Sequence, residues 1–279
     1  MTPHRRNRRR AALAVTAVMA AAAAIAVSTL SSAETTAITL PPARAGLDYQ
    51  LGGAYPLPNG VQVVSRDWKA SPADGVYNIC YINAFQTQES GEVPDGIEDW
   101  DEDLLLNDGG DVVIDPDWDE AILDITTAAK RQRIAERITA HVDVCASKGF
   151  QAVELDNFDT FTRDVVKNKI TPPDAEAYIR TLSTYAHGKG LAVGQKNTVE
   201  LAPRHTANGL DFAIAEQCGE PEINECGDYI DAFGDHAVFI EYTDAGLRNA
   251  CAYKERASIV RRDEGVSPIG DASYVRKTC

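Results

Sequence analysis

The sequence is poor in positive charge. Lysine and arginine together number 27 against 42 aspartates and glutamates, a formal net charge of −15. A phosphate backbone demands a basic face, so nucleic acid is excluded as a partner. The spacings of the common cofactor and nucleophile motifs are missing too. There is no Cys-x-x-Cys or His-spaced pattern for zinc, and no glycine loop to cradle phosphate. Neither a Gly-x-Ser-x-Gly elbow nor a Ser/His/Asp set occurs. Asp99-x-Asp101-x-Asp103 begins like a calcium loop, but Leu104 stands where the turn needs glycine. No internal repeat is found. Chemistry is left to the carboxylates, with no cofactor or metal expected.

What is present begins with a leader. Five arginines between Arg5 and Arg10 form a basic head, Ala11 to Leu30 is apolar and alanine-rich, and Ser31-Ser32-Ala33 supplies small residues for cleavage. Residues 1–33 therefore read as a signal peptide, with Sec and twin-arginine export both open. A membrane anchor is the alternative, since the stretch is about as long as a bilayer requires, but no basic stop-transfer cluster follows. Residues 34–45 have linker composition and read as a mobile lead-in. Losing the leader's five arginines takes the net charge to −20, which suits solubility and attracts cationic ligands. The expected product is a secreted, extracellular monomer without stable membrane association.

Six cysteines remain, Cys80, Cys145, Cys218, Cys226, Cys251 and Cys279. An even number in an exported chain implies disulfides. Cys218 and Cys226 share a loop and pair by proximity. Cys80 with Cys145 and Cys251 with Cys279 follow by elimination, although spacing alone leaves these four open.

The 246 residues after the leader match the roughly 250 of a (β/α)8 barrel. Eight strand-like runs can be counted: 47–51, 61–67, 76–83, 150–156, 191–196, 210–216, 237–242 and 257–261. The later ones alternate with helical stretches, as βα units do. A helix is predicted over 128–148, with Ile134, Ile138, Val142 and Cys145 on one face and Gly149 as its stop. A second starts at Thr171-Pro172-Pro173-Asp174 and ends near His187-Gly188. Residues 86–127 form a long acidic insertion carrying Trp100 and Trp118, which could line a sugar-stacking wall or, for Trp118, pack into the core. The expected architecture is one (β/α)8 domain over residues 46–279.

Side chains alternate along a strand. In the fourth run Phe150, Ala152, Glu154 and Asp156 share a face, and two acids there make sense only near the barrel mouth. By the same reasoning Phe212, Ile214 and Glu216 share a face of the sixth run. Ala192, Gly194 and Lys196 do so in the fifth, and Ala237, Phe239 and Glu241 in the seventh. Four strand ends thus deliver Asp156, Lys196, Glu216 and Glu241 to one opening. A buried salt-bridge cluster is the structural alternative. Asn83, Asp124, Asn157 and Asn197 lie at similar edges, where they could bind hydroxyls.

These residues resemble glycoside hydrolase family 114, the endo-α-1,4-polygalactosaminidases. The likeness runs through Asp48-Tyr49-Gln50-Leu51, Ile79-Cys80-Tyr81-Ile82-Asn83, Trp118 to Ile125, Lys148 to Asn157, Ala186 to Asn197, Asp211 to Cys226, and Val238 to Tyr242. It implies a (β/α)8 barrel that hydrolyses α-1,4-linked, galactosamine-rich polysaccharide with retention, Asp156 as nucleophile and Glu216 as acid/base. It also implies a binding surface drawn from Tyr49, Gln50, Tyr81, Asn83, Asp124, Glu154, Asn157, Lys196, Asn197, Glu241 and Tyr242. Leu155 replaces a usual proline, Gln195 a usual apolar residue, and Ala84-Phe85-Gln86 departs from the customary loop. Two other readings remain, a non-catalytic carbohydrate-binding barrel and a different α-linked hexosamine specificity.

Overall fold

A computed structural model describes residues 37–88 and 96–279; the expected signal peptide lies outside these residues. Eight parallel strands follow one another around a barrel in chain order. They are β1 Leu47–Gln50, β2 Val63–Asp67, β3 Tyr77–Asn83, β4 Ala152–Asp156, β5 Ala192–Lys196, β6 Phe212–Glu216, β7 Ala237–Glu241 and β8 Ala257–Arg262. All eight expected runs are strands, with shifts of one or two residues at their ends. The outer layer among the described residues holds four α-helices: α1 Ala128–Lys148, α2 Pro172–Gly188, α3 Cys226–Phe233 and α4 Asp244–Ala250. The connections after β1 and β2 are turns, and a 3-10 segment, Val199–Arg204, follows β5.

The two long helices form where the sequence places them. Thr127 Oγ1 caps α1, and Gly149 closes it in the left-handed region at φ 89°, where a side chain would be strained. Thr171 and Asp174 form a reciprocal capping box on α2. Ile134, Ile138 and Val142 of α1 are fully buried against the barrel's outer face. Burial of each contributes about 1.5–3 kcal/mol relative to exposure.

Two apolar layers follow from the alternation. Leu47, Val63, Ile79, Ala152, Phe212, Ile214 and Val238 fill the inside, while Val153, Leu155, Val193, Ala213 and Phe239 pack beneath the helices. Gly194 makes the inner layer possible between β4 and β6. A Cβ there would lie 2.6 Å from Ile214 Cδ1 and 3.0 Å from Phe212 Cζ. The composition of 34–45 reads as a linker, yet residues 37–45 lie against the barrel. Ile38 and Leu40 pack on its inner layer, and Tyr77 Oη donates to the Thr39 carbonyl at 2.7 Å.

The seam between β8 and β1 is closed by side chains. Asp48 sits 3.6 Å from Arg262 Nη1 and 3.3 Å from Arg276 Nε, Arg276 Nη2 donates to the Leu47 carbonyl, and Ala45 N donates to Ser258 Oγ. Arg276 belongs to a two-residue strand antiparallel to β8. Three disulfides, Cys80–Cys145, Cys218–Cys226 and Cys251–Cys279, tie β3 to α1, staple the loop after β6, and anchor residue 279 beside α4.

Candidate active site

Lys196 stands at the centre of the barrel mouth and is 1 % exposed. It ends β5, whose inward residues below it, Ala192 and Gly194, are small. Its Nζ lies 3.0 Å from Glu154 Oε1, 3.1 Å from Asp156 Oδ1 and 3.3 Å from Glu216 Oε2. Burial alone would lower its pKa, but Asp156, Glu216 and Glu154 outweigh that and hold the ammonium well above its ordinary value. The two carboxyl oxygens facing Nζ from Asp156 and Glu216 can be no further apart than the sum of their distances to it, about 6.4 Å.

Each acid is held by further donors. Tyr81 Oη donates to Asp156 Oδ2 at 2.7 Å, and Asn157 N to Asp156 Oδ1 at 2.7 Å. Tyr242 Oη donates to Glu216 Oε1 at 2.5 Å, and Asn197 Nδ2 to Oε2 at 3.3 Å. Asn197 also accepts from the Glu216 amide, so it fixes both the backbone and the side chain of that residue. Beneath them Glu154 accepts from Tyr49 Oη at 2.5 Å and Ser65 Oγ at 2.6 Å. Burial raises the Glu154 pKa against the opposing pull of Lys196 and these hydroxyls. Burial and the adjacent carboxylates keep Tyr49, Tyr81 and Tyr242 protonated donors.

Tyr49, Tyr81, Glu154, Asp156, Lys196, Asn197, Glu216 and Tyr242 therefore meet in one cluster. Asn83 and Asn157 form its edge: Asn157 Nδ2 donates to Asn83 Oδ1, and Asn83 Nδ2 donates to Glu120 of the insertion.

Three expected residues lie elsewhere. Ile214 faces inward and pairs in register with Val238, so Val238 and Ile240 face inward and Glu241 faces outward. Both faces of β7 are apolar, which hides its phase in the sequence. Glu241 is buried between the loop after β6 and α4. Its Oε1 accepts from Gly219 N at 2.8 Å, while Oε2 has no partner. Burial and nearby Glu220 raise its pKa to about 7 despite the Gly219 bond. Gln50 cannot share the inward face with its neighbour Tyr49. It bonds Asp48 and Arg66 on the outside. Asp124 bonds Thr126 and Lys130 on the flank of the insertion.

The two tryptophans divide. Trp100 is buried beneath the Arg137 guanidinium, while Trp118 is 63 % exposed in the turn of the hairpin Ile114–Asp115/Glu120–Ala121. The calcium-like spacing is spent on ion pairs, with Asp101 and Asp103 both on Arg133.

Two site residues were missed in the sequence. Ser65 sits in phase with inward Val63, so the alternation applied to β2 would have found it. Asp159 lies in the turn after β4, where no periodicity operates. Its carboxyl is pushed up to about 6 by burial and by Asp156 and Glu216 nearby, against Lys196.

The profile of Glycoside-hydrolase family GH114 matches residues 27–279. Aspergillus fumigatus Ega3, solved in complex with galactosamine, is similar in structure with a TM-score of 0.69 at 21 % identity, covering 88 % of this chain and 98 % of that one. The glycoside hydrolase domain of PelA from Pseudomonas aeruginosa is similar with a TM-score of 0.52 at 14 % identity, covering 81 % and 98 %. At these identities the likeness is one of fold. A comparison with curated proteins finds no match.

Proposed function

This chain belongs to glycoside-hydrolase family GH114, and from that premise we propose that it is a secreted, retaining endo-hydrolase of α-1,4-linked, galactosamine-rich polysaccharide. The observation that carries this reading is the placement of Asp156 and Glu216 on one ammonium, Lys196 Nζ, at 3.1 and 3.3 Å. Retaining enzymes need carboxyl groups about 5–5.5 Å apart, whereas inverting ones need roughly 6.5–9.5 Å to seat a water. The facing oxygens lie no more than about 6.4 Å apart, which is compatible with the first case.

Asp156 attacks the anomeric carbon as the glycosidic bond breaks, while Glu216 delivers a proton to the departing oxygen. Water then attacks the glycosyl ester, Glu216 takes its proton, and Asp156 is released. Tyr81 and Lys196 orient the nucleophile; Tyr242 and Asn197 orient the acid/base. The substrate assignment draws support from the net charge of −20 after leader removal, which favours a cationic polymer, and from the fold shared with the galactosamine-bound Ega3. Export draws support from the three disulfides. No helix among the described residues is long and apolar enough to cross a membrane.

The test is incubation with polymers of α-1,4-galactosamine and its N-acetylated form. Product masses and the anomer seen first by NMR are the readouts. Internal cleavage with an α-product is expected. A β-product would remove Asp156 as nucleophile, and no cleavage of any hexosamine polymer would leave only a binding barrel.

A further inference from the structure

We propose that Asp159 is the residue that reads the free amine of the sugar, its carboxylate accepting from the 2-ammonium of a hexosamine in the cleft. This rests on the substrate reading above and names the group that sets it. Asn157, in the left-handed region at φ 70°, turns the chain out of β4 into the 3-10 turn Phe158–Thr162. That turn places Asp159 three residues beyond Asp156. Its carboxyl is within electrostatic reach of Asp156 on β4, Lys196 on β5 and Glu216 on β6. It also acts on Tyr229 of α3. Arg163 Nη2, which donates to Asn157 Oδ1 at 2.6 Å and reaches Asp159 Oδ1 at 3.3 Å, ties this carboxyl to the Asn157–Asn83 edge of the cluster.

What distinguishes Asp159 from the other acids is what it lacks. Asp156, Glu216 and Glu154 have every carboxyl oxygen engaged by tyrosine, serine, asparagine or Lys196 donors. Those three share one ammonium. Asp159 receives one long contact from another side chain, Arg163 Nη2 at 3.3 Å. Arg163 is already committed, since its Nη1 bonds the buried Asp115 and its Nη2 bonds Asn157 Oδ1 at 2.6 Å. Asp159 is also 33 % exposed, whereas Glu154 is sealed. The cleft thus holds a solvent-reachable carboxylate whose charge has no full partner. An ammonium completes it; an acetamido group, neutral and bulkier, does not. Protonation of Asp159 near pH 6 removes the acceptor charge.

The experiment compares wild type with Asp159→Asn on the free-amine and N-acetylated polymers, with kcat and KM separated at several pH values. Substitution should lower the ratio of kcat/KM for free-amine over acetylated polymer by about tenfold or more, mainly through KM, as loss of a charge-assisted hydrogen bond does. Wild-type KM for the free-amine polymer should climb as pH falls through about 6, and that climb should be absent in the variant. An unchanged ratio, or equal losses on both polymers, overturns the proposal. Calorimetric binding of galactosamine oligosaccharide to Asp156→Asn, with and without Asp159→Asn, separates the two readings. If wild type cleaves nothing yet binding still weakens about tenfold on adding Asp159→Asn, the hydrolytic assignment falls and this one stands. Binding that is absent, or indifferent to Asp159, overturns it.

Discussion

At Lys196 three carboxylates compete for one ammonium, and two of them are the proposed catalytic pair. Charge chemistry in so small a volume makes each side chain individually accountable. Asp156→Asn should lower kcat by at least about a thousandfold, and Glu216→Gln by about a hundred- to ten-thousandfold, the usual worth of a general acid. The two differ in one respect. A substrate with an acidic leaving group needs no proton, so it should recover turnover in Glu216→Gln and not in Asp156→Asn. Steady-state rates on such a substrate decide this. Recovery in Asp156→Asn, or full activity in either variant, would remove that residue from its role.

Among the elements, β5 controls how closely its neighbours approach. Gly194→Ala forces a methyl into Ile214 and Phe212, an overpacking expected to cost about 1–3 kcal/mol. Ile214 lies two residues before Glu216, so kcat should fall along with the melting temperature; a variant with wild-type Tm and kcat would contradict this account. The loop after β6 is the second control. Replacing Cys218 and Cys226 together by serine should cost about 2–3 kcal/mol and loosen the segment that follows Glu216, seen as faster amide exchange there. The elements also show what a linear reading can reach. The inward phase of β4 was legible because Glu154 and Asp156 interrupt an apolar run on one face. That of β7 was not, because Ala237 and Phe239 look as buried as Val238 and Ile240; only pairing with β6 fixes the phase. The caps of α1 and α2 were legible from Thr, Pro and Gly alone. Asp159 lay in a turn, where no period exists to mark it.

For the whole molecule, stability should depend on pH through Glu241. Its folded pKa is raised from 4.5 to about 7, so folding favours its protonated form. The stabilisation is fully present below about 4.5 and is lost as pH rises through about 7, at roughly 1.4 kcal/mol per unit. Asp159, raised to about 6, acts with the same sign. Glu241→Gln keeps a neutral side chain there, so wild type should lose stability relative to this variant between pH 5 and 8. Denaturant melts at both pH values measure it; a pH-independent difference would show that Glu241 does not titrate there. The seam between β8 and β1 has a different kind of consequence. Arg262 is fully buried, and it donates to the carbonyls of Val275 and Ser267, while Arg276 reaches back to Leu47 and Asp48. The seam contacts of the first strand therefore span 213 residues, from Ala45 to Ser258, and 229, from Leu47 to Arg276. Contacts so distant in sequence close slowly. Until β8 and residues 263–276 have been made, Asp48 and the Leu47 carbonyl lack the two arginines that close the seam.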